Sequence, residues 1–216
     1  MSSAAPPASA QTSRRRFQPA TVAVVVLVLL VMLAATALGL MRYAAVADNV
    51  DLATYSQAVW NTAHGDPFRT SILPFTENYL GNHFTPILAL FVPFYLLWPD
   101  SRVLLLAQVI VTALSILPLY WFGREKLPAP WAAVLLAAAY VAYPAFQHQI
   151  LTDFHGVIVG AAVVMWAYFA LVTRRDLLLF CLLPLMVLIR EELSLLIIVM
   201  GLHALLFQRR WRLGLG

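Results

Sequence analysis

Long apolar runs without charges dominate the pattern of the chain. The clearest covers residues 20–41, which are 22 residues with no charged side chain. Because about 20 apolar residues in a helix cross the hydrocarbon core of a bilayer, this run predicts a first transmembrane helix. A cleaved signal peptide is the alternative, since Arg14, Arg15 and Arg16 precede the run and Ala45-Val46-Ala47 resembles a cleavage site. The run is too long for a signal-peptide core, which favours a retained anchor.

Five more apolar runs predict membrane spans, at residues 103–123, 131–147, 157–173, 177–189 and 193–207. Only Arg190, Glu191 and Glu192 separate the last two runs. Charges are costly at mid-membrane. We therefore expect two short helices that meet at a charged corner, either on the outer side or at a water-filled cavity.

Residues 84–98 form a shorter apolar segment that contains Pro86 and Pro93. The distribution of Lys and Arg decides whether it crosses, because cytoplasmic loops carry an excess of these residues. A segment that stays outside gives ten basic residues inside and four outside, whereas a crossing segment gives five inside and nine outside. The count favours a segment that lies against the outer surface, with the N-terminus in the cytoplasm.

These patterns predict an all-α fold: a polytopic transmembrane bundle of about six membrane helices, with amphipathic juxtamembrane helices in a first outer loop at residues 42–102. Residues 1–19, rich in Ala, Ser and Pro, are expected to form a disordered cytoplasmic tail, and residues 20–216 a single membrane domain. We expect a multi-pass protein of the plasma membrane. The chain ends directly after a basic cluster, and truncation at the C-terminus is left open. The oligomeric state has no signature in the sequence.

The composition agrees with a membrane protein, because 62% of residues are hydrophobic and only 11% are charged. The single cysteine, Cys181, lies in an apolar run, which excludes an internal disulfide and a cysteine-based metal site. The net charge of +4 comes from basic clusters at the ends of apolar runs, a pattern that favours membrane orientation over nucleic-acid binding. No phosphate-binding glycine loop, HExxH or Gly-x-Ser-x-Gly motif is present.

The predicted topology gathers polar chemistry on the outer side. Eight of the ten acidic residues and four of the five histidines fall there; they are Asp48, Asp51, Asp66, Glu77, Asp100, Asp153, Glu191, Glu192, His64, His83, His148 and His155. Weak exclusion of acids from inner loops explains part of this bias. It does not explain the histidines.

A short amphipathic helix is predicted at residues 51–64, because Leu52, Tyr55, Val59 and Thr62 recur at helical spacing and Gly65 follows. Asp51 stands at its start, where a carboxylate stabilises the positive end of the helix dipole. Asp51 is therefore either a capping residue or a catalytic one.

Two further outer groups are candidate sites. Asp153 and His155 share a tight polar turn and could bind a divalent metal, move a proton or solvate the turn. Arg190, Glu191 and Glu192 lie at membrane depth, where charges are retained mainly in sites and pathways.

The motifs resemble those of a family of prokaryotic membrane proteins, domain of unknown function 2079. The resemblance rests on Asp51-Leu52, Gln57 to Gly65, Asn82-His83-Phe84-Thr85-Pro86-Ile87, Asp153-Phe154-His155 and Arg190-Glu191-Glu192. Asn82 stands where members typically have aspartate, and Gly156 where they have proline. This family is in turn similar to the C-type glycosyltransferases (GT-C), which take a sugar from a polyprenyl-phosphate carrier on the outer face of the membrane.

The resemblance implies a glycosyltransferase-like enzyme with Asp51, Asp153 and His155 in catalytic roles. Asp51 and Asp153 would hold a divalent cation, Mg²⁺ or Mn²⁺, if one takes part. Substrate binding would fall to His83, Arg69, Arg102, Arg190, Glu191 and Glu192, with the arginines meeting the phosphate of a lipid-linked sugar. The expected partners are thus the lipid bilayer and that donor.

Two other functions are open. A transporter or flippase would use Arg190, Glu191 and Glu192 as an ion or substrate relay, and would need a polar path to the cytoplasm. A membrane subunit without chemistry of its own would need neither.

Overall fold

The computed structural model describes residues 18–46 and 50–209, so nearly all of the predicted tail lies outside the described residues. The described residues confirm an all-helical fold, without named strands. The α-helices are α1 (Pro19–Ala44), α2 (Val50–Ala63), α3 (Val92–Leu97), α4 (Arg102–Leu114), α5 (Ile116–Lys126), α6 (Pro130–Ala142), α7 (Pro144–Leu151), α8 (Gly156–Val172), α9 (Asp176–Ile189) and α10 (Leu193–Leu206). Two 3₁₀ helices, Tyr79–Gly81 and Pro86–Phe91, lie between α2 and α3.

Two helices among the described residues are long and apolar enough to cross a membrane. They are α1, with 26 residues, and the 25-residue helix Arg102–Lys126 that α4 and α5 form together. A third span results if α6 and α7 count as one bent helix. The helices α8, α9 and α10 are apolar but have only 14 to 17 residues. The structure thus gives two or three candidate spans, fewer than the predicted six.

The predicted span over residues 131–147 is broken at Pro144, where α6 and α7 meet at an angle of 61°. Tyr143 has an extended backbone with ψ of 125°. Proline lacks the amide donor of a helix and forces the preceding residue out of helical geometry. The hydrophobic pattern continues through Pro144, but the hydrogen-bonding pattern does not.

The helix ends fall on two faces of the bundle. On one face the start of α1 meets the end of α5, through a 3.0 Å hydrogen bond between the hydroxyls of Thr21 and Tyr120. On the opposite face the Arg42 guanidinium, near the end of α1, donates to the carbonyl of Leu151 at the end of α7. The loops that carry the candidate site residues lie on this second face, here named the loop face.

The segment at residues 84–98 is a 3₁₀ turn followed by the short helix α3, and it packs against α2. Leu52, Tyr55 and Val59 of α2 are buried in one cluster with Leu88 and Tyr95 of this segment. The amphipathic stripe predicted for α2 is therefore its buried face, while Trp60 is exposed. α2 ends just before Gly65, whose φ of +97° suits a residue without a Cβ.

Candidate functional site

The start of α2 contacts the loop between α7 and α8. Asp51 lies in the first turn of α2, and its Oδ2 is 2.8 Å from Nε2 of His155. The Asp51 side chain is 58% exposed and that of His155 is 30% exposed. Asp51 therefore does more than stabilise a helix start: it holds an imidazole from a distant loop and still faces solvent.

Both ring nitrogens of His155 face oxygen atoms. Nδ1 lies 3.0 Å from the carbonyl oxygen of Asp153 and 3.5 Å from the Asp153 carboxylate. Nε2 faces Asp51, and both of these neighbours are acceptors. A neutral imidazole has a single N–H to donate, so its other ring nitrogen is suited to bind a cation placed between the ring and a carboxylate.

Asp153 is fully buried, at 0% exposure. Its Oδ1 accepts a hydrogen bond of 3.1 Å from the hydroxyl of Thr152. Its Oδ2 is buried and has no hydrogen-bond partner among the described residues. An unsatisfied carboxylate oxygen is costly in a protein interior. A bound cation would give this oxygen the partner that it lacks.

Gln108 of α4 shapes this loop, and sequence reasoning missed it. The side chain is 1% exposed. Its amide nitrogen lies within 3.3 Å of three carbonyl oxygens, those of Gln149, Thr152 and Asp153. Its amide oxygen accepts a 2.8 Å hydrogen bond from the backbone N–H of His155. The signal was available, because a lone amide inside an apolar membrane helix needs internal partners.

Aromatic side chains form the wall beside this loop. Tyr55 packs edge-on against Phe154, with ring centroids 5.0 Å apart, and lies 4.8 Å from the ring of Tyr79. The Tyr55 hydroxyl accepts a hydrogen bond from the backbone N–H of Gly156. Burial, followed by the nearby Tyr55, raises the pKa of Tyr79 far above its ordinary value. Tyr79 thus contributes a neutral side chain to this wall.

A second polar cluster links the segment after Gly81 to the corner between α9 and α10. Glu191 accepts a 2.9 Å hydrogen bond from the backbone N–H of Phe84 and lies 3.3 Å from Nδ1 of His83. Burial opposes ionisation of Glu191, but hydrogen bonds from its own backbone N–H, from His83 and from Phe84 outweigh it, so its pKa is lowered. Glu191 is thus an anion that attaches the corner to the segment after Gly81.

Arg190 completes the second cluster. Its side chain is 17% exposed, and Nε lies 2.9 Å from Oε2 of Glu192. That contact does not have hydrogen-bond geometry, so the buried Nε–H is not satisfied. The guanidinium also lies 3.2 Å from Nε2 of His83. Arg190 is therefore held between an anion and an imidazole.

The sequence-predicted residues form two groups rather than one. The first is Asp51, Asp153 and His155, and the second is His83, Glu191 and Glu192; in each group one ligand atom per residue lies within 4.8 Å of the others. Tyr79 lies between the groups, because Asp51 and Arg190 both affect its pKa. The first group suits a divalent cation better, since it has an unsatisfied buried carboxylate oxygen and the second contains the positive Arg190.

Arg69 and Arg102 belong to neither group. Arg69 is exposed and pairs with Asp66 at 3.7 Å. Arg102 is fixed by Asp100, with two hydrogen bonds of 2.9 and 2.6 Å to its carboxylate, and lies over the ring of Trp98. The hydrogen bond from Arg102 lowers the pKa of Asp100. Asp100 thus already neutralises the Arg102 charge.

One family model matches residues 46–216, and it describes predicted membrane proteins of the family DUF2079. This chain belongs to the DUF2079 family. The match includes α2, the loop at residues 152–155 and the corner between α9 and α10, so both polar clusters lie within the DUF2079 region. No curated protein and no solved structure matches the chain significantly.

Proposed function

We propose that this DUF2079 protein is a glycosyltransferase of the GT-C type, which transfers a sugar from a polyprenyl-phosphate donor on the outer face of the membrane. One observation carries the proposal: Asp51 and His155, 104 positions apart, meet at 2.8 Å beside the buried carboxylate of Asp153. An exposed carboxylate that is oriented by an imidazole is suited to general-base catalysis on a hydroxyl.

Asp51 is the base in this proposal. The oxygen of the acceptor hydroxyl forms a bond to the anomeric carbon of the donor sugar, and Asp51 takes the proton of the hydroxyl. The bond between that carbon and the phosphate oxygen breaks, so that polyprenyl phosphate leaves. Because the leaving group is a phosphate, the protein needs mainly to orient the acceptor and stabilise negative charge.

His155 positions Asp51, and Asp153 positions His155. The carbonyl of Asp153 fixes one ring nitrogen, which leaves the other to orient Asp51. A carboxylate that is held in one orientation loses less entropy when the acceptor binds. These contacts support a positioning role for His155, while Asp51, with its exposed carboxylate, is the residue that reaches substrate.

Asp51, Asp153 and His155 are also the residues that would hold a divalent cation. The unsatisfied Oδ2 of Asp153 and the exposed carboxylate of Asp51 are hard oxygen ligands, which suit Mg²⁺ and Mn²⁺. The imidazole of His155 favours Mn²⁺ of the two, since nitrogen is a better ligand for a transition metal. Such a cation would supply positive charge opposite the donor phosphate.

Arg190 is the proposed contact to the donor phosphate. A guanidinium matches phosphate geometry, and Arg190 has an Nε–H that Glu192 does not satisfy. Arg69 and Arg102 are weaker candidates because neither lies at a polar cluster, and the Arg102 guanidinium already makes two hydrogen bonds to Asp100. His83 and Glu191 would keep Arg190 at the corner, and Glu192 would release it when the donor binds.

The proposed topology has about six spans, with the N-terminus in the cytoplasm of a plasma-membrane protein. The 3₁₀ turn Pro86–Phe91 and α3 together extend roughly 21 Å, against about 30 Å of hydrocarbon. This length supports a segment that does not cross. With that segment outside, α2, the loop at residues 152–155 and the corner at Arg190 share the outer side.

A transporter is the second candidate, favoured by the ionic cluster at the break between α9 and α10. A relay would need polar side chains that continue toward the other face. The sequence has no Asp, Glu, Lys, Arg or His between Asp176 and Arg190, and α10 contains only His203 near its end. This pattern supports the enzyme over the relay.

The decisive experiment measures consumption of polyprenyl-phosphate-linked hexoses and pentoses by the purified full chain in proteoliposomes. Asp51→Asn is expected to abolish release of polyprenyl phosphate without loss of insertion. Asp66→Asn is the matched control, because Asp66 is an exposed carboxylate on the same loop face and belongs to neither cluster. Full release by Asp51→Asn, or solute uptake without release by the unmodified chain, would refute the proposal.

A further inference from the structure

The bundle has a cleft on the face opposite the loop face. It has a volume of about 310 Å³ and lies where the start of α1, the end of α5 and the turn between α8 and α9 come together. Its lining includes Thr21, Tyr120, Trp121, Arg124, Glu125 and Arg175. None of these residues belongs to the polar clusters of the loop face. Those clusters therefore do not account for the polar residues that line this cleft.

Arg124 is oriented into this region by neighbours rather than by an acid. Its Nη1 donates a 3.0 Å hydrogen bond to the hydroxyl of Tyr120, which is itself 1% exposed and bonded to Thr21. A guanidinium has five N–H donors, and this contact uses one of them. The described residues make no hydrogen bond to the others, which can therefore reach a ligand in the cleft.

Arg175 enters the cleft from the turn before α9. Its guanidinium lies 4.8 Å from the ring centroid of Phe169, and that ring also contacts Trp121. Among the described residues, neither Arg124 nor Arg175 forms an ion pair with a carboxylate. Glu125 is the one acid in the cleft lining, so the two arginines outnumber it.

Other features of the cleft also favour an anion. The first turn of α1 contributes Thr21, and a helix N-terminus carries partial positive charge. In the sequence, Arg14, Arg15 and Arg16 directly precede α1. Basic clusters next to a membrane helix are typical of sites for anionic lipid.

We propose that this cleft binds the phosphate of an anionic phospholipid headgroup. Two guanidinium groups can take one phosphate, and Trp121 has the side chain that is enriched where headgroups meet hydrocarbon. Val22 and Val25 of α1 are large apolar residues with 47% and 44% exposure, and they offer a surface to an acyl chain beside the cleft. These valines favour a lipid over a soluble phosphate. In the proposed topology the lipid belongs to the cytoplasmic leaflet.

The test is native mass spectrometry of the delipidated full chain, with phosphatidylglycerol or phosphatidylcholine of the same acyl chains added. We expect one phosphatidylglycerol to be retained at least tenfold more tightly. Arg124→Gln and Arg175→Gln should each weaken its binding about fivefold, since a basic side chain near a lipid surface contributes about that much. Lys126→Gln is the matched control, because Lys126 ends the same helix without lining the cleft.

Glu125→Gln has the opposite expected effect and separates binding from folding. Removing the one acid in the cleft should tighten phosphatidylglycerol binding, whereas a variant that merely unfolds loses it. Equal retention of both lipids, or unchanged retention by Arg175→Gln, would overturn the proposal. Displacement of the lipid by millimolar inorganic phosphate would also overturn it and would assign the cleft to a soluble anion.

Discussion

His155 and Asp51 are joined by a 2.8 Å contact between Nε2 and Oδ2, although they are 104 positions apart in the chain. Asp51 is on α2, which lies against the segment at residues 84–98, and His155 is on the loop before α8. Packing of α2 therefore decides whether the pair forms. The Asp51 carboxylate is exposed to solvent. On its other side, His155 contacts the buried Asp153.

Asp153→Asn is expected to abolish sugar transfer without destabilising the protein. The amide keeps an acceptor for Thr152 and removes a buried charge whose Oδ2 has no partner. The free energy of unfolding should stay equal or rise by about 1 kcal/mol. Thermal unfolding in detergent and the proteoliposome assay measure the two effects. A loss of several kcal/mol would mean that this charge has a structural role instead.

Gln108→Leu is expected to destabilise the protein by about 2 to 3 kcal/mol, since it leaves the backbone N–H of His155 and several carbonyls without their partner. Chemical denaturation in detergent gives this value. Gln147→Leu serves as the control because Gln147 is exposed and makes a single long bond of 3.3 Å. Similar losses in both variants would show that Gln108 does not hold the loop.

We expect Glu191 to make the stability of the folded protein depend on pH only in the acid range. Its folded pKa lies below the ordinary value of 4.5, so the stabilisation it contributes is present above that value and is lost as the pH falls through the folded pKa. Melting temperatures from pH 3 to 7 should therefore separate the unmodified chain from Glu191→Gln at neutral pH and converge in acid. Glu77→Gln should follow the unmodified chain throughout. A difference that persists at pH 3 would contradict the assignment.

Gly123→Ala is expected to lower the free energy of unfolding by about 1 to 3 kcal/mol. A Cβ at Gly123 would lie 3.1 Å from the Cβ and 3.2 Å from the Cα of Ala133, where backbone atoms cannot yield as a side chain can. Gly39→Ala is the control, since nothing lies within 4 Å of its added Cβ. That variant should be neutral or stabilised, because alanine favours helix. Equal stability of the two variants would show that α5 and α6 do not pack this closely.

The proposed orientation predicts which side reacts with a membrane-impermeant maleimide. In a Cys181→Ser background, Glu77→Cys should be labelled in intact cells and Lys126→Cys only after permeabilisation. Both side chains are exposed, so access depends on the side of the membrane. The reverse pattern would remove the outer location of both polar clusters and, with it, the proposed donor.

The sequence predicted the helical class and most helix positions, because a long apolar run without charges has few alternatives to a helix in a membrane protein. The apolar run alone did not reveal the 61° bend at Pro144, because the bend comes from the amide donor that proline lacks. The hydrophobicity of a segment indicates whether the segment is buried. The bend depends instead on a missing backbone amide donor. The number of spans is also less constrained, because a helix such as α9 is apolar after Asp176 but has only 14 residues.

The sequence identified the residues of the candidate site better than it identified which of them are in contact. Asp153 and His155 are close in sequence, but the contact of His155 with Asp51 depends on how α2 packs. Arg69 and Arg102 were chosen by charge alone, and charge does not reveal that Asp66 and Asp100 lie beside them. Gln108 was visible as a polar residue in an apolar helix, yet its role depends on the four backbone groups around it.

The bond between Glu191 and the backbone N–H of Phe84 has a consequence for genetic studies. A backbone donor is present whichever amino acid occupies position 84, except proline. Variation at that position will therefore leave this attachment intact, and comparisons of covarying side chains will not detect it. A scan that includes proline would reveal the attachment, because it alone removes the donor.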